Sequence, residues 1–294
     1  MDYAKRFCEW LRENRPDLSF LFGFGYSMEH PDLLGAIDFC RSIGSASGEF
    51  LQFDGMNFRT DEELEFLLRQ VKEHGIKLID LTFYGTEEYH DRFAARRGDY
   101  RLMMRTLAMA NMIDLDVSVS IPVTSENAGQ IDALISDLEQ YVTLRISGFI
   151  PHSEGRGRLL DSVRFSAEDY LKLSENVRSI INWNRFKTEG DWLRDGFSPV
   201  TKRVLTVTLT PENVDFFERL PFDETVFYLE KLDDEYYAAV PSVEELAKIY
   251  GDPKGNRYYS ARDLYLCYQR RYIADNKLDV YDMNDERQCF SRRF

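Results

Sequence analysis

The strongest constraint on this chain is a rhythm. Between residues 18 and 150, short apolar runs alternate with amphipathic stretches, one pair roughly every 30 residues. Runs at 18–25, 50–53, 76–83, 116–123 and 142–150 read as five strands. Helices are predicted between them at 31–43, 60–74, 100–112 and 128–141. A further helix over 2–14 places Tyr3, Phe7, Trp10 and Leu11 on one face and stops before Pro16. Thr60 and Glu63 form a capping-box pair at the start of their helix, and Gly75 ends it. Strand and helix in this order imply parallel βαβ units with right-handed crossovers. An open doubly wound sheet and a partial barrel both satisfy the pattern. Either would gather functional loops at the C-terminal ends of the strands.

The texture changes after Phe165. A helix is predicted over 166–183, a polar loop over 184–198 and a strand over 204–209, and the remainder is rich in tyrosine. The expected organisation is a barrel-like region, 1–165, and an α+β extension, 166–294, packed on it. The tyrosines suit core and interface packing better than base stacking, because 51 acidic against 37 basic residues leave a formal charge of −14. That balance argues against general affinity for nucleic acid or an anionic membrane. No apolar run has the length of a membrane span, and residues 1–6 lead into a charged helical pattern instead of a signal-peptide core, so a cytoplasmic location is expected. Cys8, Cys40, Cys267 and Cys289 are scattered, which fits reduced thiols and no compact metal motif.

Several segments resemble the radical S-adenosylmethionine (radical SAM) core domain, in the family's order. The run from Phe22 through Gly23, Gly25 and Tyr26 to His30-Pro31-Asp32 is similar to its second strand and following helix, which usually carry Gly-Gly-Glu-Pro and then His-Pro-Asp. Leu51 to Met56 resembles the third strand, and Leu78 to Gly85 the fourth. Tyr89 to Tyr100 is similar to the family's His-Asp and Arg-Gly segment. Val117 to Asn127 resembles the fifth strand and its turn, and Ile146 to Gly157 the sixth with its Pro and Gly-Arg-Gly turn. The matches cover residues 18–157 and do not reach the extension.

The resemblance implies a partial (β/α) barrel with parallel strands. It implies a SAM-like pocket touched by Gly23, Gly25, Tyr26, Thr82, Arg97, Ser118, Pro151 and Arg156. It also implies a peptide or protein as substrate or partner, held at the barrel mouth. The family's chemistry requires a Cys-x3-Cys-x2-Cys loop whose thiolates bind a 4Fe-4S cluster, and this sequence has no such trio. Either the loop precedes the sequence in hand or the protein is a degenerate relative; Tyr26, standing where the family has glutamate, favours degeneracy. The expectation is therefore a radical SAM relative without cluster ligands and with no assigned catalytic residue. The other reading is a non-catalytic peptide- or protein-binding module.

Each of these residues also has a plainer role. Gly23 and Gly25 suit a strand-end turn, and Thr82 suits a buried strand as a β-branched residue. Arg92, Arg96 and Arg97 would either clamp an anion or pair with Glu87, Glu88 and Asp99. His90 and Asp91 do not face each other on a helix, so a turn-capping role is expected. The loop with His152, Ser153 and Gly155-Arg156-Gly157 would either cradle an anion or make a simple turn.

Overall fold

The structure is a computed structural model that describes residues 2–19, 27–53, 57–197, 204–280 and 282–283. The order is α1 (Asp2–Asn14), α2 (Leu33–Ser42), β1 (Phe50–Gln52), α3 (Asp61–Glu73), β2 (Leu78–Thr82), α4 (Glu87–Phe93), α5 (Asp99–Met112), β3 (Asp116–Pro122), α6 (Ile131–Leu138) and β4 (Arg145–Phe149). Then come α7 (Ala167–Lys172), α8 (Glu175–Ser179), β5 (Lys187–Thr188), α9 (Glu189–Asp195), α10 (Pro211–Phe217), α11 (Phe222–Ala239), α12 (Val243–Tyr250), β6 (Tyr258–Tyr259) and α13 (Ala261–Asn276). None of the described helices is long and apolar enough to cross a membrane.

The chain divides into two compact units. The first holds residues 1–149 and 173–181, the second 150–172 and 182–294.

In the first unit, β1, β2, β3 and β4 form a parallel sheet in that order. Register pairs Leu51 with Ile79, Asp80 with Ser118, and Ser120 with Ser147. Each strand lies beside the one before it in sequence, so the described sheet has no point at which strand order reverses. The segment ending α8 adds a further parallel contact, with Gly148 N–H donating to Ile180 O at 2.9 Å and a bridge from Gly148 to Ile181. Only glycine permits that approach, because a Cβ at 148 would lie 2.7 Å from the Ile181 side chain. One face of the sheet is uniformly apolar: Ile79, Leu81, Phe83, Val117, Val119 and Ile121 are all fully buried. Each such side chain contributes about 1.5–3 kcal/mol of transfer free energy.

The helices follow their end signals. Thr60 Oγ1 accepts from Glu63 N, and the Glu63 carboxylate accepts from Thr60 N, closing the predicted capping box of α3. Asp32 caps α2 by accepting from Gly35 N at 3.0 Å, so the His-Pro-Asp segment serves as a helix start. The helix predicted over 166–183 is instead two short helices, α7 and α8. Ser174 breaks it by capping the second, its hydroxyl accepting from Val177 N at 3.1 Å. The strand predicted over 204–209 has no ladder partner. Thr206 N donates to Met283 O at 2.7 Å, and Thr208 O accepts from Thr210 N at 3.1 Å.

In the second unit, the core gathers Trp192 with Tyr236, Tyr259, Tyr265 and Tyr268. Three of these rings have partners for their polar ends: Tyr268 OH donates to Glu189 at 2.6 Å, Tyr265 OH to Pro241 O at 3.1 Å, and Trp192 Nε1 to Tyr259 O at 2.8 Å. Tyr236, Tyr259, Tyr265 and Tyr268 therefore pack the interior of this unit. A two-residue antiparallel ribbon of β5 and β6 completes this largely helical unit.

Candidate functional site

A parallel sheet covered on both faces normally has strands that are apolar throughout. Here each strand alternates. Opposite the apolar face lie Gln52 on β1, Asp80 and Thr82 on β2, Ser118 and Ser120 on β3, and Ser147 on β4, with Phe50 and Leu78 at one end of that face and Pro122 and Phe149 at the other. Register puts Gln52 beside Asp80, Asp80 beside Ser118, and Thr82 beside Ser120, so this second face carries one continuous polar stripe.

Asp80 lies at its centre and is 7 % exposed. Its Oδ1 accepts from Ser118 Oγ at 2.5 Å, while Oδ2 has no partner among the described residues. The hydroxyls of Thr82 and Ser120 likewise have none. An ionised carboxylate accepts up to about four hydrogen bonds, and a buried polar group without partners costs about 1–3 kcal/mol. The stripe therefore presents unused hydrogen-bonding capacity suited to a ligand with donor groups, such as an amine or a sugar diol.

The loops after the strands are firmly held. The imidazole of His90 is fully buried, with Nδ1 accepting from Tyr84 N at 3.2 Å and Nε2 3.2 Å from Asp99 Oδ2. Since Nδ1 must present its lone pair to an amide, the ring proton sits on Nε2 and points to Asp99. Asp91 turns the other way and accepts from Gly98 N at 2.5 Å and Tyr100 N at 2.9 Å. Burial would raise its carboxyl, but the amides of Tyr100 and Gly98 outweigh that and hold it below its ordinary value. The expected capping role of the His90-Asp91 pair is what the structure has, and Asp91 occupies the amides at the start of α5.

After β3, Asn127 is 1 % exposed, and its Nδ2 donates to Tyr84 O and Pro122 O at 2.7 Å each. Its Oδ1 accepts from Thr124 N at 2.8 Å, so one amide ties together the ends of β2 and β3.

Arg92 stacks over Tyr89, and Arg96 stacks over Phe58 and pairs with Asp99 at 3.1 Å. Arg97 is exposed and makes no ion pair among the described residues. With Asp91 already on the α5 amides, the three arginines do not form a common clamp. Thr82 and Ser118 come together on the polar stripe, diagonal neighbours across β2 and β3. Pro151 and Arg156 belong to the second unit, where Pro151 is buried; the Arg156 side chain is outside the described residues, as are Gly23, Gly25 and Tyr26. Glu29, three positions past Tyr26, accepts from Asn57 N at 2.7 Å and Arg59 Nη1 at 3.1 Å, so its carboxylate is engaged within the protein.

The turn after β4 builds a second polar centre inside the second unit. Asp263, fully buried on α13, accepts from Ser153 N at 2.8 Å, Ser260 Oγ at 2.5 Å and His152 Nδ1 at 3.2 Å. Ser153 Oγ donates to Asp161 at 2.7 Å and accepts from Arg164 Nη2 at 2.5 Å, and Arg164 also pairs with Asp161 at 2.6 Å. Gly157 N–H donates to Glu154 O at 3.0 Å, so that amide is already used within the turn. A Cβ at 157 would lie 2.2 Å from His152 O, and this close approach fixes the backbone of His152.

The three described thiols divide between the two units. Cys8 and Cys40 lie in an apolar group with Ala4, Phe39 and Ile43, and burial pushes the Cys40 thiol up to about 11 and raises Cys8 as well. Cys267 is in the second unit, and burial first, then Asp161, raises it too. Cys289 is outside the described residues. Among the described residues no group of three His, Cys, Asp or Glu side chains is arranged to hold a metal ion.

Asp80, Ser120, Ser147 and Asp263 were not singled out from the sequence. The first three carry a readable signal, polar residues two apart in strand after strand: Asp80 and Thr82, Ser118 and Ser120, Arg145 and Ser147. Asp263 has none, since its partners His152 and Ser153 are 111 and 110 positions away. No protein-family model matches the chain, and no curated protein matches it in a sequence comparison.

Proposed function

We propose that the chain is a radical SAM-type partial barrel whose polar sheet face binds S-adenosylmethionine, and that its own four cysteines hold no iron–sulfur cluster. The observation that carries the reading is Asp80: a buried carboxylate with one open oxygen, flanked by the free hydroxyls of Thr82 and Ser120. Such a set matches the amino group and ribose hydroxyls of SAM. Two features of the fold support it. Strands β1 to β4 follow one another without reversal, and the 180–181 segment continues the series, as in a sheet that curls into a barrel. The polar stripe then becomes the inner surface, and the apolar face packs against the outer helices. The raised thiols of Cys8 and Cys40 support the second half of the proposal, because a cluster needs thiolates.

Calorimetric titration with SAM tests the reading on wild type, Asp80→Asn and a Thr82→Val, Ser120→Ala double variant. Saturable one-to-one binding that weakens about tenfold or more in Asp80→Asn is expected, a loss of about 1.4 kcal/mol. Wild type that takes up no SAM, or Asp80→Asn that binds as wild type does, overturns the assignment. Stoichiometric iron and sulfide retained after anaerobic reconstitution would overturn the statement about the cysteines.

A further inference from the structure

The polar centre of the second unit is not needed for any step above. Asp263, fully buried on α13, accepts from His152 Nδ1 through both oxygens, at 3.2 and 3.3 Å, and from Ser153 N at 2.8 Å. An ionised carboxylate only accepts, so Nδ1 carries a proton. The His152 side chain is 37 % exposed and exchanges its second proton with solvent, whereas the carboxylate beneath it is closed in. We infer that the pair is a pH-sensitive latch: protonated His152, set against the buried carboxylate, fastens the turn after β4 to α13, and loss of the proton loosens it.

The other attachments of the turn carry fixed charges. Ser153 is fully buried; its Oγ donates to Asp161 at 2.7 Å and its carbonyl accepts from Arg270 Nη1. Glu154 pairs with Arg262 of α13 at 2.8 Å, and Arg164 with Asp161 at 2.6 Å. Carboxylates and guanidinium groups ordinarily keep their charges between about pH 5 and 9. Histidine is the side chain that titrates near neutrality, and no other histidine follows His90 in the sequence than His152. A turn at the C-terminal end of a parallel strand is also where such sheets meet their ligands. The latch therefore ties the mobility of that turn to proton concentration.

The ionisation of both partners favours the charged pair. The hydrogen bond to Asp263 raises His152 above its ordinary value, burial opposes, the charges of Asp263 and Glu154 add, and the charge of Arg185 lowers it. Burial would raise Asp263, but the bond and charge of His152, with Ser260 Oγ and Ser153 N, hold it below its ordinary value. The folded value of His152 thus lies above the unfolded one. Its contribution is complete below about pH 6.5 and is lost as pH rises through the folded midpoint. Above that midpoint Asp263 remains a buried charge whose donors are all neutral, the condition that loosens the turn.

The chain has four histidines, so the Cε1–H resonance of His152 can be followed by NMR in the full-length protein and identified with His152→Gln. Hydrogen exchange of peptides from 152–163, corrected for the intrinsic effect of pH, reads the opening of the turn between about pH 5.5 and 8.5. Peptides of α11, in the same unit, serve as the reference. A midpoint above about 6.5 is expected, with turn exchange faster by about fivefold or more on its alkaline side and α11 unchanged. His152→Gln keeps a side-chain donor and does not titrate, so the step should vanish. Glu154→Gln removes a charge that raises His152, so the midpoint and the exchange step should move to lower pH together. Wild-type turn exchange constant within about twofold across the range refutes the latch. So does a step of wild-type size in His152→Gln, or a step that stays in place in Glu154→Gln while the midpoint moves.

Discussion

Replacing Asp91 by alanine tests whether the segment between β2 and α5 is a lock or a ligand clamp. The carboxylate accepts from Gly98 N at 2.5 Å and Tyr100 N at 2.9 Å, and α5 has no side-chain cap of its own. Each hydrogen bond to a charged group contributes about 1.5–3 kcal/mol when buried, and loss of an ordinary helix cap costs about 0.5–2 kcal/mol. Asp91 is only half-buried, so solvent weakens both bonds and the pair together is worth about 2 kcal/mol, roughly what one fully buried bond of this kind contributes. The chain has two compact units, so a single melting temperature is a poor measure. Hydrogen exchange of α5 peptides reads the local opening directly, and about 2 kcal/mol corresponds to exchange faster by roughly 30-fold. The pH dependence follows from the sign of the shift. The folded Asp91 carboxyl lies below its ordinary value, so its contribution is complete above the unfolded value and fades as pH falls through the folded one. The gap between wild type and Asp91→Ala should be full at about pH 6 and shrink below about pH 4. Exchange in Asp91→Ala within threefold of wild type, or a gap that stays constant down to about pH 2.5, would refute the reasoning.

Asn127→Asp should cost about 3 kcal/mol or more, since it turns a buried Nδ2 toward-carbonyl contact into oxygen against the carbonyls of Tyr84 and Pro122; exchange of β3 amides measures this, and near-wild-type protection counts against the assigned tie. Gly157→Ala puts a methyl group 2.2 Å from His152 O, so the loop must move and the His152 midpoint should fall toward its ordinary value; an unchanged NMR titration would show that the loop is looser than described. In a Cys289→Ser background at pH 8, about one Cys40 side chain in a thousand is thiolate, given its rise to about 11, so labelling by a disulfide reagent should be slow until urea is added. Rapid stoichiometric labelling of Cys40 under native conditions contradicts that burial.

The sheet was legible because its signals are local. The apolar periods at 50–53, 76–83, 116–123 and 142–150 each contain an observed strand, and Thr60 with Glu63 marked a helix start to the residue. The run at 166–183 misled because helical periodicity continues across Ser174, whose hydroxyl accepts from Val177 N and donates at 2.6 Å to Asp132, a partner 42 positions away that the local pattern does not announce. The run at 204–209 has the β-branched alternation of a strand, but a strand exists only where a neighbour supplies a ladder. Thr82 and Ser118, which the family resemblance implies, lie in neighbouring strands whose register sets them on one face. The dyad of His152 and Asp263 could not be named in advance, since nothing in either segment announces a partner more than a hundred positions away. Arg97 and the Gly155-Arg156-Gly157 turn looked like anion seats from composition; the structure gives the α5 amides to Asp91 and the Gly157 amide to Glu154.

The contact between Gly148 and residues 180–181 has a consequence for how the molecule is made. The polypeptide leaves the sheet at Phe149, builds part of another body, comes back for Leu173–Ile181, and departs again. A ribosome that has released only the first 165 residues has therefore not yet delivered the strip that lines the outer edge of β4, and that edge stays open until it emerges. A fragment ending at residue 149 or 172 inherits the same exposed edge, whereas one ending at 181 keeps the strip but carries residues 150–172 of the other body with it. Dissecting this protein requires either two junctions or a loop grafted across 150–172, with the strip at 173–181 kept in place.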